Sequence, residues 1–262
     1  MKRMLVINGS PNGAKGNTEI LVNAFVEGVE AAGASVTRLY TKNLRINPCC
    51  GTLHCWKNQG KCCMKDDMQQ VLEAMNNADV LVLASPVHVD GLTGPLKNLL
   101  DRFVVRVSPY IVNRNGHNTH ALSNKSSSIK KLVLISNCGF HEMDNFDAML
   151  VHVKAIAKLF HCEFAGALLR PHGPAMRFLP KNLISEVILS AKMAGQELIK
   201  AGRMSEKLEQ AVSQELIGKK KYELMVNAHW TKVRIKSFFS KDKDISYSEK
   251  PSLSTETAYL PS

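Results

Sequence analysis

An apolar run, Met4-Leu5-Val6-Ile7, breaks directly into a loop of small and hydroxyl residues, Asn8-Gly9-Ser10-Pro11-Asn12-Gly13-Ala14-Lys15-Gly16-Asn17-Thr18. Apolar residues then return at helical steps, at Ile20, Leu21, Ala24, Phe25 and Val29. The chain therefore leaves a strand, turns through small residues and enters a helix. Such a turn aims unpaired backbone N–H groups and the positive end of a helix dipole at one point, a ready anion site. Ser10, Asn12, Asn17 and Thr18 add side-chain donors, and Gly16 lets the backbone come close. The spacing fits neither a Walker loop nor the dinucleotide G-x-G-x-x-G pattern. A hydroxyl-rich loop of this kind suits a terminal monoester phosphate. The alternative is an ordinary turn in which Thr18 caps a helix.

The strand–helix rhythm continues. Candidate strands are Arg3–Asn8, Ser35–Tyr40, Val80–Ser85, Lys131–Ser136 and Glu163–Leu169. Candidate helices are Asn17–Ala32, Asp66–Asn77, Gly94–Phe103, Asn145–Phe160 and Lys181–Ala201. The runs Val80-Leu81-Val82-Leu83-Ala84 and Leu132-Val133-Leu134-Ile135 are apolar without interruption, as in parallel strands covered on both faces. The expected fold is α/β: a doubly wound, five-stranded parallel sheet of order 2-1-3-4-5. It occupies residues 1–202, and residues 203–262 form a C-terminal extension, helical and then flexible. The helical part opens with Leu208, Val212, Leu216 and Ile217 and runs through a basic stretch to Phe239. The last twelve residues, rich in Ser and Thr, are expected to be flexible. Residues 104–128, with Tyr110, His117, His120 and a Ser-rich stretch at 126–128, read as a long loop, a lid or binding loop, or equally as a disordered stretch.

A net charge of +11 raises a nucleic-acid partner. The basic residues are scattered, aromatics are 6%, and no nucleic-acid motif is present, so none is expected. A basic surface also suits anionic small molecules or acidic proteins. No apolar run is long enough for a membrane span, and the run after Met1-Lys2-Arg3 is too short for a signal peptide. Seven cysteines, an odd and clustered number, point to a reducing cytoplasm.

In a doubly wound sheet the ligand lies beyond the carboxyl ends of the strands, at the switch point. That rule selects three loops. The first follows the first strand. The second is Ser85-Pro86-Val87-His88-Val89-Asp90-Gly91, and the third is Asn137-Cys138-Gly139-Phe140-His141. His88 could lie flat against a planar ligand, and Gly139 and Phe140 could offer backbone donors and an aromatic face. Loops also hold Gly, Pro and polar residues for turn chemistry alone.

Gly9-Ser10-Pro11-Asn12, Gly16-Asn17-Thr18 and Ala84-Ser85-Pro86-Val87-His88, with Leu92-Thr93-Gly94-Pro95-Leu96-Lys97-Asn98-Leu99-Leu100-Asp101-Arg102 as the most specific match, resemble the NAD(P)H-dependent FMN reductase family. That family lies in the flavodoxin-like superfamily, which includes the iron–sulfur flavoproteins. The resemblance covers roughly residues 3–200. It implies a flavodoxin-like fold, noncovalent FMN and a homodimer or tetramer. It places the flavin phosphate at Ser10, Asn12, Gly16, Asn17 and Thr18. It places the isoalloxazine ring at Pro86, Val87, His88, Val89 and Gly91, with Asn137, Cys138, Gly139 and Phe140 on the other side. The family commonly has Tyr where His88 stands.

Cys49, Cys50, Cys55, Cys62 and Cys63 crowd one segment. In the iron–sulfur members four cysteines there hold a [4Fe–4S] cluster, and the matching positions are Cys49, Thr52, Cys55 and Cys62. Thr52 is a poor iron ligand. A shifted ligand set using Cys50 or Cys63, a zinc site with His54, a redox-active thiol pair and plain burial all remain open. The last is favoured, so no metal ligands are assigned.

The resulting expectation is a cytoplasmic FMN oxidoreductase. It would pass hydride equivalents from NADH or NADPH to a flavin, quinone, azo or nitro compound. No side chain is assigned as general acid or base, since the cofactor carries the chemistry. The alternative is an electron carrier serving protein partners.

Overall fold

The computed structural model describes residues 1–123 and 129–239. The Ser-rich stretch at 126–128 and the last twelve residues lie outside these. Compact units run from Met1 to Ile217 and from Gly218 onward.

The first unit holds a five-stranded sheet. Its strands are β1 (Arg3–Asn8), β2 (Ser35–Tyr40), β3 (Val80–Pro86), β6 (Lys131–Asn137) and β7 (Glu163–Arg170). They pair in parallel in the order β2-β1-β3-β6-β7. Two further strands, β4 (Val107–Arg114) and β5 (His117–Leu122), form a separate antiparallel hairpin. Numbered among the parallel strands alone, the order is 2-1-3-4-5, as the apolar runs predict.

Alternation along the strands divides the apolar residues between two cores. Met4, Val6, Val82, Ala84, Val133 and Ile135 face α1 (Asn17–Ala31) and α7 (Lys181–Ala201). Leu5, Ile7, Leu81, Leu83, Leu132 and Leu134 face α3 (Met68–Asn76), α4 (Gly94–Asp101) and α5 (Asp147–Leu159). Both sets are almost fully buried. The strands read as continuous apolar runs because each face meets helices. α1 and α7 approach to backbone contact through two glycines. A Cβ on Gly28 would lie 1.8 Å from the Lys192 carbonyl oxygen, and one on Gly195 would lie 2.1 Å from that of Phe25.

Of the long loop expected at 104–128, residues 104–122 are regular structure instead. After a 3₁₀ turn at Arg102–Arg106 the chain forms the β4–β5 hairpin. Asn115 and Gly116 both have positive φ, the Asn-Gly pairing of a tight hairpin turn. Short helices α2 (His54–Lys57) and α6 (Ala175–Phe178) interrupt the connections after β2 and β7. α8 (Glu206–Ser213) lies within the first unit and packs on α7 and β7. In the second unit the described part is one helix, α9 (Lys219–Phe239). Among the described residues no helix is long and apolar enough to cross a membrane.

Candidate functional site

The first loop is shaped by the last residue of β1. The Asn8 carboxamide accepts the Ser10 N–H (2.8 Å) and donates to Glu19 in the first turn of α1 (2.6 Å). One side chain thus sets both the turn and the helix entry. Glu19 is buried and also accepts from Arg38 (3.1 Å) and Tyr40 (2.8 Å), so its charge is matched inside the protein. Burial and the Glu19 carboxylate both push the Tyr40 phenol up, outweighing Arg38.

At the helix start Gly16 occupies the cap position, and no side chain caps α1. The Asn17 and Thr18 amides are first-turn donors with no acceptor inside the helix. A Cβ on Gly16 would stand 2.4 Å from the Ser10 hydroxyl oxygen, so only glycine brings the backbone this close to Ser10. Asn12 is exposed, Asn17 is half-buried, and Ser10 and Thr18 are buried. The sequence reading of Thr18 as a helix cap is not what the structure shows. Its hydroxyl donates across the molecule to the Asn137 carboxamide oxygen (2.5 Å).

Asn137 joins all three loops. Its side-chain oxygen accepts the Thr18 hydroxyl, and its carbonyl accepts the Val87 N–H (2.8 Å). Beneath it, buried hydroxyls tie the strand ends together. Ser136 donates to the Ser85 carbonyl (2.7 Å), Ser85 accepts the Thr93 N–H (3.2 Å), and Thr93 donates to the Gly9 carbonyl (2.7 Å). Asn8, Ser85, Thr93 and Ser136 thus position the site without having been assigned to it. The signal for them was their place at or after the carboxyl ends of strands.

In the second loop, His88 and Gly91 exchange two backbone hydrogen bonds (3.0 and 3.1 Å) around Val89 and Asp90. Both central residues have positive φ, 48° and 57°. A β-branched residue rarely takes that conformation. Here Val89 holds it with its side chain fully exposed. His88 is also exposed, while Pro86, Val87 and Gly91 are half-buried.

In the third loop Cys138 is buried, and its thiol points at the Phe140 carbonyl (3.2 Å). Burial raises its pKa, so it stays a neutral thiol. Gly139 and Phe140 are exposed. Behind them the His141 ring stacks on His172 at 4.8 Å, and His172 bonds to the fully buried Arg170 (3.1 Å). The Arg170 guanidinium donates to the carbonyls of Val212 (2.6 Å) and Gln214 (2.5 Å), where α8 ends. Sequence reasoning missed Arg170 and His172. It also missed Arg177 of α6, which donates to the Asn17 carboxamide oxygen and the Lys15 carbonyl on the first loop.

The cysteine segment is anchored by a buried ion pair. Arg102, from the block at 92–102, is fully buried and forms a fork on Asp66 (2.6 and 3.2 Å). It also donates to the Asn47 carbonyl (2.9 Å) and the Cys62 sulfur (3.3 Å). Burial alone would push Asp66 up; the bonds from Arg102 and two backbone amides hold it below the usual carboxylate range. Trp56 donates to the Val104 carbonyl (3.3 Å) and packs on His120 of the hairpin at 5.0 Å. The five clustered cysteines line one shallow pocket with Thr52 and Arg102, all as free thiols. Among the described residues no three His, Cys, Asp or Glu side chains converge as a metal-holding group.

The family model for NADPH-dependent FMN reductase matches residues 2–164. An iron–sulfur flavoprotein of Archaeoglobus fulgidus is 40% identical over 100 residues, which is 38% of this chain and 48% of that protein. One from Methanosarcina thermophila is 32% identical over 101 residues, 38% of this chain and 51% of that protein. The chain thus spans about half the length of the curated relatives it matches. Among solved structures, an FMN-dependent NADH-azoreductase from Bacillus anthracis, in complex with FMN, superposes with a TM-score of 0.52 at 14% identity. That match covers 77% of this chain and 97% of the azoreductase, and it establishes the fold alone.

Proposed function

This chain belongs to the NADPH-dependent FMN reductase family, and from that premise we propose that it is an FMN-dependent NAD(P)H oxidoreductase acting on a small-molecule acceptor. The single observation that carries the reading is the convergence of the three loops on Asn137, beside an uncapped helix start. FMN held there would supply two-electron chemistry, taking hydride from NADH or NADPH and passing it to a flavin, quinone, azo or nitro compound.

The residues fit that cofactor. The first-turn amides of α1, with Ser10, Asn12, Gly16, Asn17 and Thr18 around them, would hold a terminal phosphate against the helix dipole. Because Thr18 already spends its proton on Asn137, its part would be to lock the loop in shape. Pro86, Val87, His88, Val89 and Gly91 would border one edge of the ring, and Asn137 to Phe140 the other. The left-handed turn at Val89 and Asp90 projects Val89 outward, where a planar ligand or a second subunit would cover it. A homodimer or tetramer in the cytoplasm belongs to the same proposal.

Asn17→Asp tests the phosphate assignment. The change is nearly isosteric, and a carboxylate at a helix N-terminus favours folding by about 0.3–1 kcal/mol. Beside a phosphate dianion the same charge repels. We expect FMN affinity, titrated by flavin fluorescence, to fall at least about tenfold with thermal stability kept. Unchanged FMN affinity would remove the phosphate from this loop.

The names of the curated relatives favour a second reading, in which the cysteine segment holds an iron–sulfur cluster and the protein serves redox partners. The residues do not fit a four-thiolate site. Thr52 stands at one of the four family positions, and a hydroxyl does not replace a thiolate at iron. Cys50 and Cys63 each adjoin another candidate ligand. We expect protein purified without oxygen to carry FMN with almost no iron or acid-labile sulfide. About four irons per chain, lost in Cys55→Ser, would favour the cluster instead.

A further inference from the structure

The phosphate loop receives a cation that no local motif announces. We propose that Arg177 reads the terminal phosphate of the cofactor and so discriminates FMN from its dephosphorylated form. This rests on the reading of the first loop as the phosphate site.

Arg177 lies far along the chain from that loop, yet its guanidinium is fastened to it at two points. Nε donates to the Asn17 carboxamide oxygen and Nη2 to the Lys15 carbonyl. Nη1 takes part in neither bond. The segment that carries it is pinned. Ala175 and Met176 are buried, while Arg177 and Phe178 are exposed. Gly173 presses so closely on Asn137 that a Cβ there would stand 2.8 Å from the Asn137 side chain. Asn137 is the residue that accepts the Thr18 hydroxyl. The connection after β7 therefore touches the first loop twice, at Thr18 through Asn137 and at Asn17 through Arg177.

Charge supports the assignment. Among the described residues no carboxylate forms an ion pair with Arg177 or with Lys15. Glu19, the acid nearest in sequence, is buried and already held by Asn8, Arg38 and Tyr40. A guanidinium with donors remaining, at the rim of uncapped first-turn amides, matches a phosphate monoester in charge and in donor geometry. A latch for the loop alone would need only the two bonds present.

Titrating the apoprotein with FMN and with riboflavin separates the roles, because the two differ only in the phosphate. Arg177→Gln should weaken FMN binding about tenfold or more and change riboflavin binding less than about twofold. Arg177→Lys should recover part of the loss, since it restores charge without the fork. The Gln variant should also show a shallower loss of FMN affinity with added salt. If FMN and riboflavin weaken together, or neither changes, Arg177 is only a latch and the proposal fails. A native protein that binds the two flavins equally would instead overturn the phosphate site itself.

Discussion

Replacing Arg102 with Ala is expected to cost the fold about 3–5 kcal/mol, the penalty for leaving a buried charge without its partner. The Asp66 side chain has no exposed surface, and that of Arg102 is 1% exposed. Neither can turn to water when the other is removed. The loss reaches further than the pair. The same guanidinium donates to the Asn47 carbonyl and the Cys62 sulfur, so it fastens both ends of the cysteine segment to the end of α4. Urea unfolding should show a lower midpoint for Arg102→Ala, and Asp66→Ala should behave alike. The double change Arg102→Met with Asp66→Leu should recover more than half of the loss, because no unpaired charge remains. A single-variant loss under about 1 kcal/mol would mean that the pair behaves like a surface ion pair. Stability from Asp66 is fully present above the ordinary carboxylate pKa and is lost only as the pH falls through its depressed value.

What was legible in the chain, and what was not, follows from the range of the forces involved. Val80–Ala84 and Leu132–Ile135 announce buried parallel strands because helices cover both faces. Once those strands are placed, the three loops at their carboxyl ends follow from topology. The Asn115-Gly116 turn was also readable, but β4 and β5 were passed over. Tyr110, Ile111 and Val112 are all exposed, in a hairpin outside the main sheet, so no buried apolar run marks them. Arg102 lies inside a recognisable block, yet its partner Asp66 is set by the tertiary path of the cysteine segment. Arg177 on Asn17 and Arg170 on the end of α8 join residues remote in sequence. Such pairs leave no periodic trace, and in a chain with 34 Lys and Arg no composition singles them out.

The connection after β7 should make the fold acid-sensitive through His172. Its Nε2 accepts from Arg170 (3.1 Å) and from the Leu216 N–H (3.3 Å), so the ring is held neutral with that nitrogen bare. Burial, then Arg170 and the stacked His141, push its pKa down to about 3. The unfolded chain takes up this proton near pH 6.5, and the folded chain does so only near its lowered value. The stabilisation is therefore complete above about pH 6.5 and declines as the pH falls toward 3, by about 1.4 kcal/mol per pH unit. At pH 5 the deficit is about 2 kcal/mol, a fall in melting temperature of about 4–8 °C for a unit of this size. Burial also lowers His152 and His161, so the comparison must be with a variant. In His172→Gln an amide oxygen can accept the same two bonds but does not titrate. It should melt lower than the native protein at pH 7.5 and show a smaller drop between pH 7 and pH 5. An equal drop in both proteins would exonerate His172. The consequence for the site is direct. His172 N–H donates to the Phe140 carbonyl (2.5 Å), and Arg177 follows five residues later. A proton on His172 would repel Arg170 and cost both bonds at Nε2, loosening the segment that carries the proposed phosphate contact. FMN affinity should therefore fall with pH over the same range, and less steeply in His172→Gln.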